Sequence, residues 1–128
     1  MGDTIRTQGA EADMDAVLGI EAVAYSSSSV EKLSSAVTWT TYPRKRMFVL
    51  FNHKADATST GVTVTVKESA TSGGSYAAAT YTGTAGASTS ARTGVLQVKR
   101  NPAKPFVKIS MTPAGGSGLV AASFLFMD

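Results

Sequence analysis

The second half of the chain alternates apolar and polar residues with a period of two, which is the pattern of half-buried β-strands. In GVTVTVKES (61–69), Val62, Val64 and Val66 point to one side, and the residues between them point to the other. The segment KPFVKISMT (104–112) repeats this alternation, and Gly, Ser, Thr and Pro fill the connections. The pattern therefore predicts an all-β chain.

Two further segments are apolar without alternation, which predicts strands covered on both faces. MFVLF (47–51) is a short continuous apolar run, and LVAASFLFM (119–127) is apolar on both of its faces. We expect the second segment to be a central strand, or to have its outer face covered by another subunit. Seven or eight short strands with regular turns predict an antiparallel β-sandwich of the jelly-roll type.

The N-terminal part has a different character. We expect residues 1–31 to be an extended acidic arm and linker, and residues 32–128 to be the sandwich domain. The arm carries a net charge of −5 and the remainder +8. Either both regions are simply solvated, or the arm lies on a neighbouring copy in a symmetric assembly. A short helix capped by Asp13 is a weak alternative for the residues around Met14, because Gly19 disfavours it. Residues 20–25 (IEAVAY) are a candidate strand.

Residues able to carry chemistry are few. The chain has no cysteine, and its one histidine, His53, stands in a segment (52–60) that reads as a polar surface loop. No base therefore accompanies a nucleophile, and the body offers only three carboxylates, of which Glu68 is expected to be solvated. The Gly-rich segments lie between strands rather than before helices, so they are turns and not phosphate loops. We expect a protein that is not an enzyme and needs no cofactor or metal.

The sequence is more compatible with a binding function than with catalysis. A basic patch could contact nucleic acid, with Phe106 as the one exposed stacking residue, but the remaining aromatics do not interleave with the bases. A glycan-binding sandwich would expose aromatic rings. Trp39 alternates with Val37 as a core or interface residue does, whereas Tyr76 and Tyr81 could be exposed. No segment approaches the ~18 apolar residues of a membrane-spanning helix.

One resemblance narrows these classes. The segments VTVTVKESATSGGSYAAATYTG, GVLQVK, PFVKISMTPAGG and GLVAASFLFM resemble a recurring pattern in small tailed-bacteriophage virion proteins. There, a strand ending in a Glu-Ser or similar pair precedes a Gly-containing turn, and a later strand leads through a Gly-rich hairpin into a last hydrophobic strand. The match covers roughly residues 47–127. It implies a small β-sandwich structural protein of the virion, including the capsid decoration (cement) proteins, and it carries no catalytic residues.

The expected function is therefore a head decoration protein on the capsid surface, which binds the major capsid protein and stabilises the shell. We expect self-association, with a homotrimer favoured. The alternatives are a glycan- or receptor-binding module of a head fibre or tail, and a tail or connector component. The residues expected to make partner contacts are charged, and they lie in the arm and before the first apolar strand: Asp3, Glu11, Asp13, Asp15, Arg44, Lys45 and Arg46.

Overall fold

The computed structural model describes residues 14–26, 30–42, 46–55, 61–84, 86–88, 92–114 and 116–128. All regular secondary structure in these ranges is β-strand, and none of it is helix. The strands are β1 (Met14–Ser26), β2 (Lys32–Leu33), β3 (Val37–Thr38), β4 (Arg46–Ala55), β5 (Val62–Ser69), β6 (Ala77–Ala78), β7 (Tyr81–Thr82), β8 (Gly86–Ser88), β9 (Arg92–Val98), β10 (Phe106–Pro113) and β11 (Ser117–Met127).

These strands form two antiparallel sheets. The first sheet has the order β1-β11-β4-β9-β7. In the second sheet β10 and β5 are central, with β2 and β3 beside β10 and with β6 and β8 beside β5. The inner faces of both sheets supply one hydrophobic core. The predicted all-β sandwich is therefore confirmed.

The topology also confirms the jelly-roll type. Early strands pair with late ones in a nested order: β1 with β11, β2 and β3 with β10, β4 with β9, and β5 with β6 and β8. Two further pairings, β11 with β4 and β10 with β5, join these pairs into the two sheets. This nesting is the double Greek key of a jelly roll.

The alternating segments behave as their pattern predicts. In β5, Val62, Val64 and Val66 are buried, and the residues between them face outward. In β10, Ile109 and Met111 are buried opposite Val66 and Val64, and Val107 is buried opposite Glu68. A period of two places successive side chains on opposite faces, so each strand covers the core with one face only.

The structure differs from the sequence prediction at the N-terminal end of the described chain. Residues 14–26, expected to belong to the arm and linker, form β1. The helix around Met14 is therefore wrong, and the candidate strand at residues 20–25 is confirmed as part of a longer strand. The strand is stabilised by pairing with β11 along its length and by burying Ile20 and Tyr25. A register shift around Gly19 turns Leu18 outward and Ile20 inward.

Close packing explains why glycine occupies position 19. A Cβ atom there would stand 2.8 Å from the Cδ1 atom of Ile109 and 3.2 Å from the carbonyl oxygen of Ala122. The absence of a side chain thus lets the backbone of β1 approach the second sheet. Gly19 disfavours a helix, and at this position its missing side chain is what the bulge in β1 requires.

The segment after Phe51 is a second difference. The predicted polar loop from residue 52 is wrong at its start, because β4 continues to Ala55. The same strand alternates where continuous burial was expected. Met47, Val49 and Phe51 are buried, whereas Leu50 is 39% exposed. One face of this strand is therefore open to solvent.

Candidate functional site

The most distinctive surface of the molecule is the outer face of the five-stranded sheet. Register and alternate burial place one set of side chains on this side of β1, β11, β4 and β9. We define the outer face by these residues: Met14, Ala16, Leu18, Ala24, Arg46, Phe48, Leu50, Asn52, Lys54, Thr93, Val95, Gln97, Leu119, Ala121, Ser123, Leu125 and Met127.

Exposed apolar side chains form the middle of the outer face. The register aligns Leu18 of β1, Ser123 of β11, Leu50 of β4 and Val95 of β9 in one row across the sheet. Leu18 is 65% exposed and Val95 is 54% exposed. An isolated exposed apolar residue is ordinary, but three in one row, with only the small Ser123 between them, indicate a surface that another molecule covers.

A shallow hollow lies beside this row. It has a volume of about 400 Å³ and runs over β11, where the side chains of Ala121 and Ser123 are small. Leu18 of β1 and Leu50 of β4 border it on either side. The outer face therefore has both projecting leucines and a depression able to receive apolar side chains.

Charge is confined to the two ends of the outer face. Within the set that defines it, Arg46 and Lys54 are the charged residues, and they stand at opposite ends of β4. The Arg46 guanidinium lies 5.8 Å from the centre of the Phe48 ring and donates a hydrogen bond to the carbonyl oxygen of Asp128. Because charged groups resist burial, their absence from the middle makes this area suited to close contact.

The outer face of the second sheet is polar by comparison. Thr63, Thr65 and Lys67 project from β5. Glu31 crosses this surface, with its Oε2 atom 2.8 Å from the Nζ atom of Lys67, and it accepts a hydrogen bond from the Ser110 hydroxyl. The hydrogen bonds from Lys67 and Ser110 lower the pKa of the Glu31 carboxyl. This face already satisfies its own polar groups.

The predicted contact residues are only partly within the described chain. Asp3, Glu11, Asp13, Arg44 and Lys45 lie outside the described residues. Asp15 lies on β1 opposite Phe126, and Arg46 begins β4 opposite Met127, so both stand at the same end of the first sheet. The structure thus brings two of the seven residues to one end of the first sheet, with Arg46 on the outer face and Asp15 on the side of the inward-facing Phe126.

The single histidine is not a surface residue, so the expectation for His53 is wrong. His53 is 2% exposed, because β4 carries it inward opposite Val120 of β11 and Arg92 of β9. Neither ring nitrogen has a hydrogen-bond partner among the described residues. Burial, and then the charge of Arg92, lower the pKa of its imidazole. An imidazole so enclosed is poorly placed to serve as a general base.

A polar depression of about 330 Å³ lies at a different part of the molecule. Its lining includes Glu68, Thr80, Lys99, Arg100 and Asn101. Glu68 is 8% exposed rather than solvated, and its Oε2 atom accepts a hydrogen bond of 3.1 Å from the Nδ2 atom of Asn101. Carboxylate, amide and hydroxyl groups together are able to bond to a small polar ligand.

The aromatic residues considered for stacking are mostly engaged. Trp39 is 1% exposed and packs edge-on against Phe126, with the guanidinium of Arg100 5.3 Å above its ring. Tyr76 is half-buried, and the Nζ atom of Lys108 lies 4.4 Å from its ring centre. A Trp39 platform for glycans is therefore excluded in this conformation.

Similarity to known proteins does not identify this chain. Comparisons with protein-family models, with curated proteins and with solved structures returned no match to this chain. Among the described residues, no three His, Asp or Glu side chains come together as metal ligands. In that same part of the chain, no helix has the length and apolar character needed to cross a bilayer.

The sequence indicated the contribution of β11 to the outer face but not that of β4. The apolar residues on both faces of β11 indicated a strand that is central or covered, and β11 does lie between β1 and β4. The contribution of Leu50 was missed because a continuous apolar run reads as buried on both sides. Which side is open depends on the neighbouring strands, and sequence periodicity does not show them.

Proposed function

We propose that this protein is a non-enzymatic structural protein of a bacteriophage virion, of the capsid decoration type. The observation that most supports this proposal is the exposed apolar outer face of the five-stranded sheet. The resemblance of residues 47–127 to small virion proteins supplies the virion context. Jelly rolls serve in viral capsids and in lectins, so the fold agrees with the proposal without assigning it.

The proposed mechanism is adhesion. A protein that binds assembled shell better than free subunits stabilises the shell by mass action. When the free decoration protein is at 100 times its dissociation constant, each bound copy stabilises the assembled shell by about 2.7 kcal/mol. Exposed apolar area supplies the attraction, and charged residues near its edge set orientation.

The charged residues have a defined place in this proposal. Arg46 stands at one end of the outer face, where it would make polar contacts at the rim of an interface. Asp15 stands at the same end of the sheet on its other side, and we propose that it adds a contact beyond the rim. Asp3, Glu11, Asp13, Arg44 and Lys45 are proposed to extend these contacts to the major capsid protein. Rim charges act mainly on association rate and orientation, so their contribution should weaken as salt increases.

Co-sedimentation with empty capsids tests the proposal. Capsids of the parent phage that lack this protein are mixed with increasing amounts of purified chain and pelleted. We expect saturable binding in a fixed ratio to the major capsid protein. An unrelated capsid of similar size is the control for trapping. If the chain stays in the supernatant at every concentration while remaining folded, the decoration function is wrong.

A glycan- or receptor-binding module of a head fibre or tail is the second candidate. The polar depression beside Glu68 and Asn101 favours it, because these groups could bond to sugar hydroxyls. A glycan array probed with the wild type and with Asn101→Ala tests this candidate. If the wild type binds a glycan, the variant does not, and the wild type fails to bind capsids, the glycan-binding function replaces the decoration function.

A further inference from the structure

We propose that an acidic oligosaccharide, one whose sugar rings carry carboxylate groups, binds in a groove that runs from Glu68 along β7. This inference rests on the second candidate function above, because it names the ligand class and the full extent of that site. It requires no capsid binding, and the lining of the groove shares only Gln97 with the outer face.

Two adjoining hollows form the groove. The polar depression of about 330 Å³ beside Glu68 and a second hollow of about 320 Å³ have Thr80 and Lys99 in common. The second hollow continues along β7, where it is lined by Tyr81, which is partly buried, and by the exposed Gln97. Ligand pockets usually have at least about 300 Å³, so each hollow suits one small ring and the pair suits a chain of rings.

Glu68 supplies a hydrogen-bond acceptor that the fold leaves unused. It lies on the inward face of β5 opposite the buried Val107, and it is 8% exposed. Its Oε2 atom accepts the hydrogen bond from Asn101, whereas its Oε1 atom has no hydrogen-bond partner among the described residues. Burying a carboxyl group with one oxygen unpaired is costly, so such a group in the lining of a hollow indicates a ligand.

Asn101 fixes the position of this carboxyl group. Its Nδ2 atom donates the 3.1 Å hydrogen bond to Glu68, and its Oδ1 atom accepts a hydrogen bond of 3.0 Å from the backbone N–H of Ala103. Because both ends of the amide are engaged, Asn101 is a positioning residue and Glu68 makes the contact with the ligand. The exposed hydroxyl of Thr80, which belongs to both hollows, adds a second polar contact.

Two cations make the groove selective for an acidic sugar. Lys99 and Arg100 line the hollow, and neither side chain forms an ion pair or hydrogen bond with any residue that the structure describes. The guanidinium of Arg100 is held 5.3 Å from the centre of the Trp39 ring, which leaves its N–H groups available to a carboxylate. The ligand must therefore offer hydroxyl donors to Glu68 and a carboxylate to Arg100, and a sugar acid carries both.

Titration of the full chain with a trimer of galacturonic acid tests the ligand class. Trp39 is the only tryptophan and lies beside Arg100, so its fluorescence should change in a saturable way. The same trimer with its carboxyl groups reduced to alcohols should bind at least about tenfold more weakly, because it loses the charge-assisted hydrogen bonds. A single galacturonic acid, which reaches one hollow only, should also bind at least about tenfold more weakly.

Three variants locate the site. Arg100→Gln removes the guanidinium and Glu68→Gln replaces the unpaired carboxyl oxygen, and each should weaken binding of the acidic trimer at least about tenfold. Lys104→Gln is the matched control, because it removes a positive charge from the same connection between β9 and β10 but lies outside both linings. Calorimetry measures the affinities, since Arg100→Gln alters the surroundings of Trp39, and urea unfolding verifies that each variant is folded. An equal loss of affinity in Lys104→Gln would overturn the placement of the site.

The outcomes separate this inference from both candidate functions. Absence of binding to the acidic trimer, or equal binding of the acidic and the reduced trimers, overturns it, while a neutral glycan bound on the array would leave the second candidate function standing. Citrate that binds as tightly as the trimer also overturns it, because the hollow would then hold a small hydroxy acid rather than an oligosaccharide. Co-sedimentation with capsids decides the decoration function independently of these results.

Discussion

Protonation of the buried His53 should control the pH dependence of stability near neutrality. The imidazole is 2% exposed, and both of its nitrogens lack hydrogen-bond partners among the described residues. Its pKa is lowered from 6.5 by burial and by Arg92. The unfolded chain therefore binds a proton before the folded protein does. Stability is complete above about pH 6.5 and falls as the pH drops toward the lowered pKa, by about 1.4 kcal/mol for each pKa unit of depression.

The variant His53→Leu tests this reasoning. A buried polar group without a partner costs about 1–3 kcal/mol. Leucine removes both unpaired nitrogens, and it loses the parallel stacking of the imidazole on Phe51, whose ring centre is 6.4 Å away. We expect a net gain of about 1 kcal/mol at pH 8. We also expect the loss of stability between pH 7 and pH 5 to disappear, because no group then titrates at this position.

Urea unfolding at several pH values between 5 and 8 provides the measurement. Asn52→Ala is the control, since Asn52 is the neighbouring residue and faces outward. It should keep the pH dependence of the wild type. The reasoning is refuted if His53→Leu is destabilised at pH 8 and its free energy of unfolding still falls as steeply as that of the wild type toward pH 5.

Two further changes test the packing and the polar face. Gly19→Val should lower the free energy of unfolding by about 1–3 kcal/mol, because the new Cβ atom would stand 2.8 Å from the Cδ1 atom of Ile109. Urea titration measures this change, and an unchanged midpoint would contradict the close approach of β1 to the second sheet. Glu31→Gln should cost less than about 1 kcal/mol at pH 7, because the Lys67 pair is partly exposed. The pKa of Glu31 is lowered, so its contribution is full above pH 4.5 and is lost as the pH falls through the lowered value. A difference from wild type that does not shrink at all as the pH falls below 4.5 would point to another cause.

Much of the fold could be predicted because its strongest strands carry local patterns. The alternation in β5 and β10 indicated which residues face the core, and the Gly- and Pro-rich connections indicated an antiparallel sandwich. Only residues 20–25 of β1 were a candidate strand, and the first part was missed because no local pattern identifies it as a strand. Its structure depends on pairing with β11, nearly one hundred residues later, and on a glycine that permits a bulge.

The candidate surface could be predicted only in part for a related reason. The apolar residues on both faces of β11 were visible in the sequence, and they did indicate a central or covered strand. The exposure of Leu50 was not visible, because a run such as MFVLF looks the same whether one face or both are buried. Only the register that aligns Leu18, Ser123, Leu50 and Val95 turns separate residues into one surface.

The most direct test of the decoration function is the thermal stability of the shell. Phage capsids lacking this protein are heated with and without saturating purified chain, and the midpoint of shell disruption is recorded. The account predicts that the midpoint rises with added protein and levels off when the binding sites are full. A midpoint that is the same at every concentration of folded protein would contradict it.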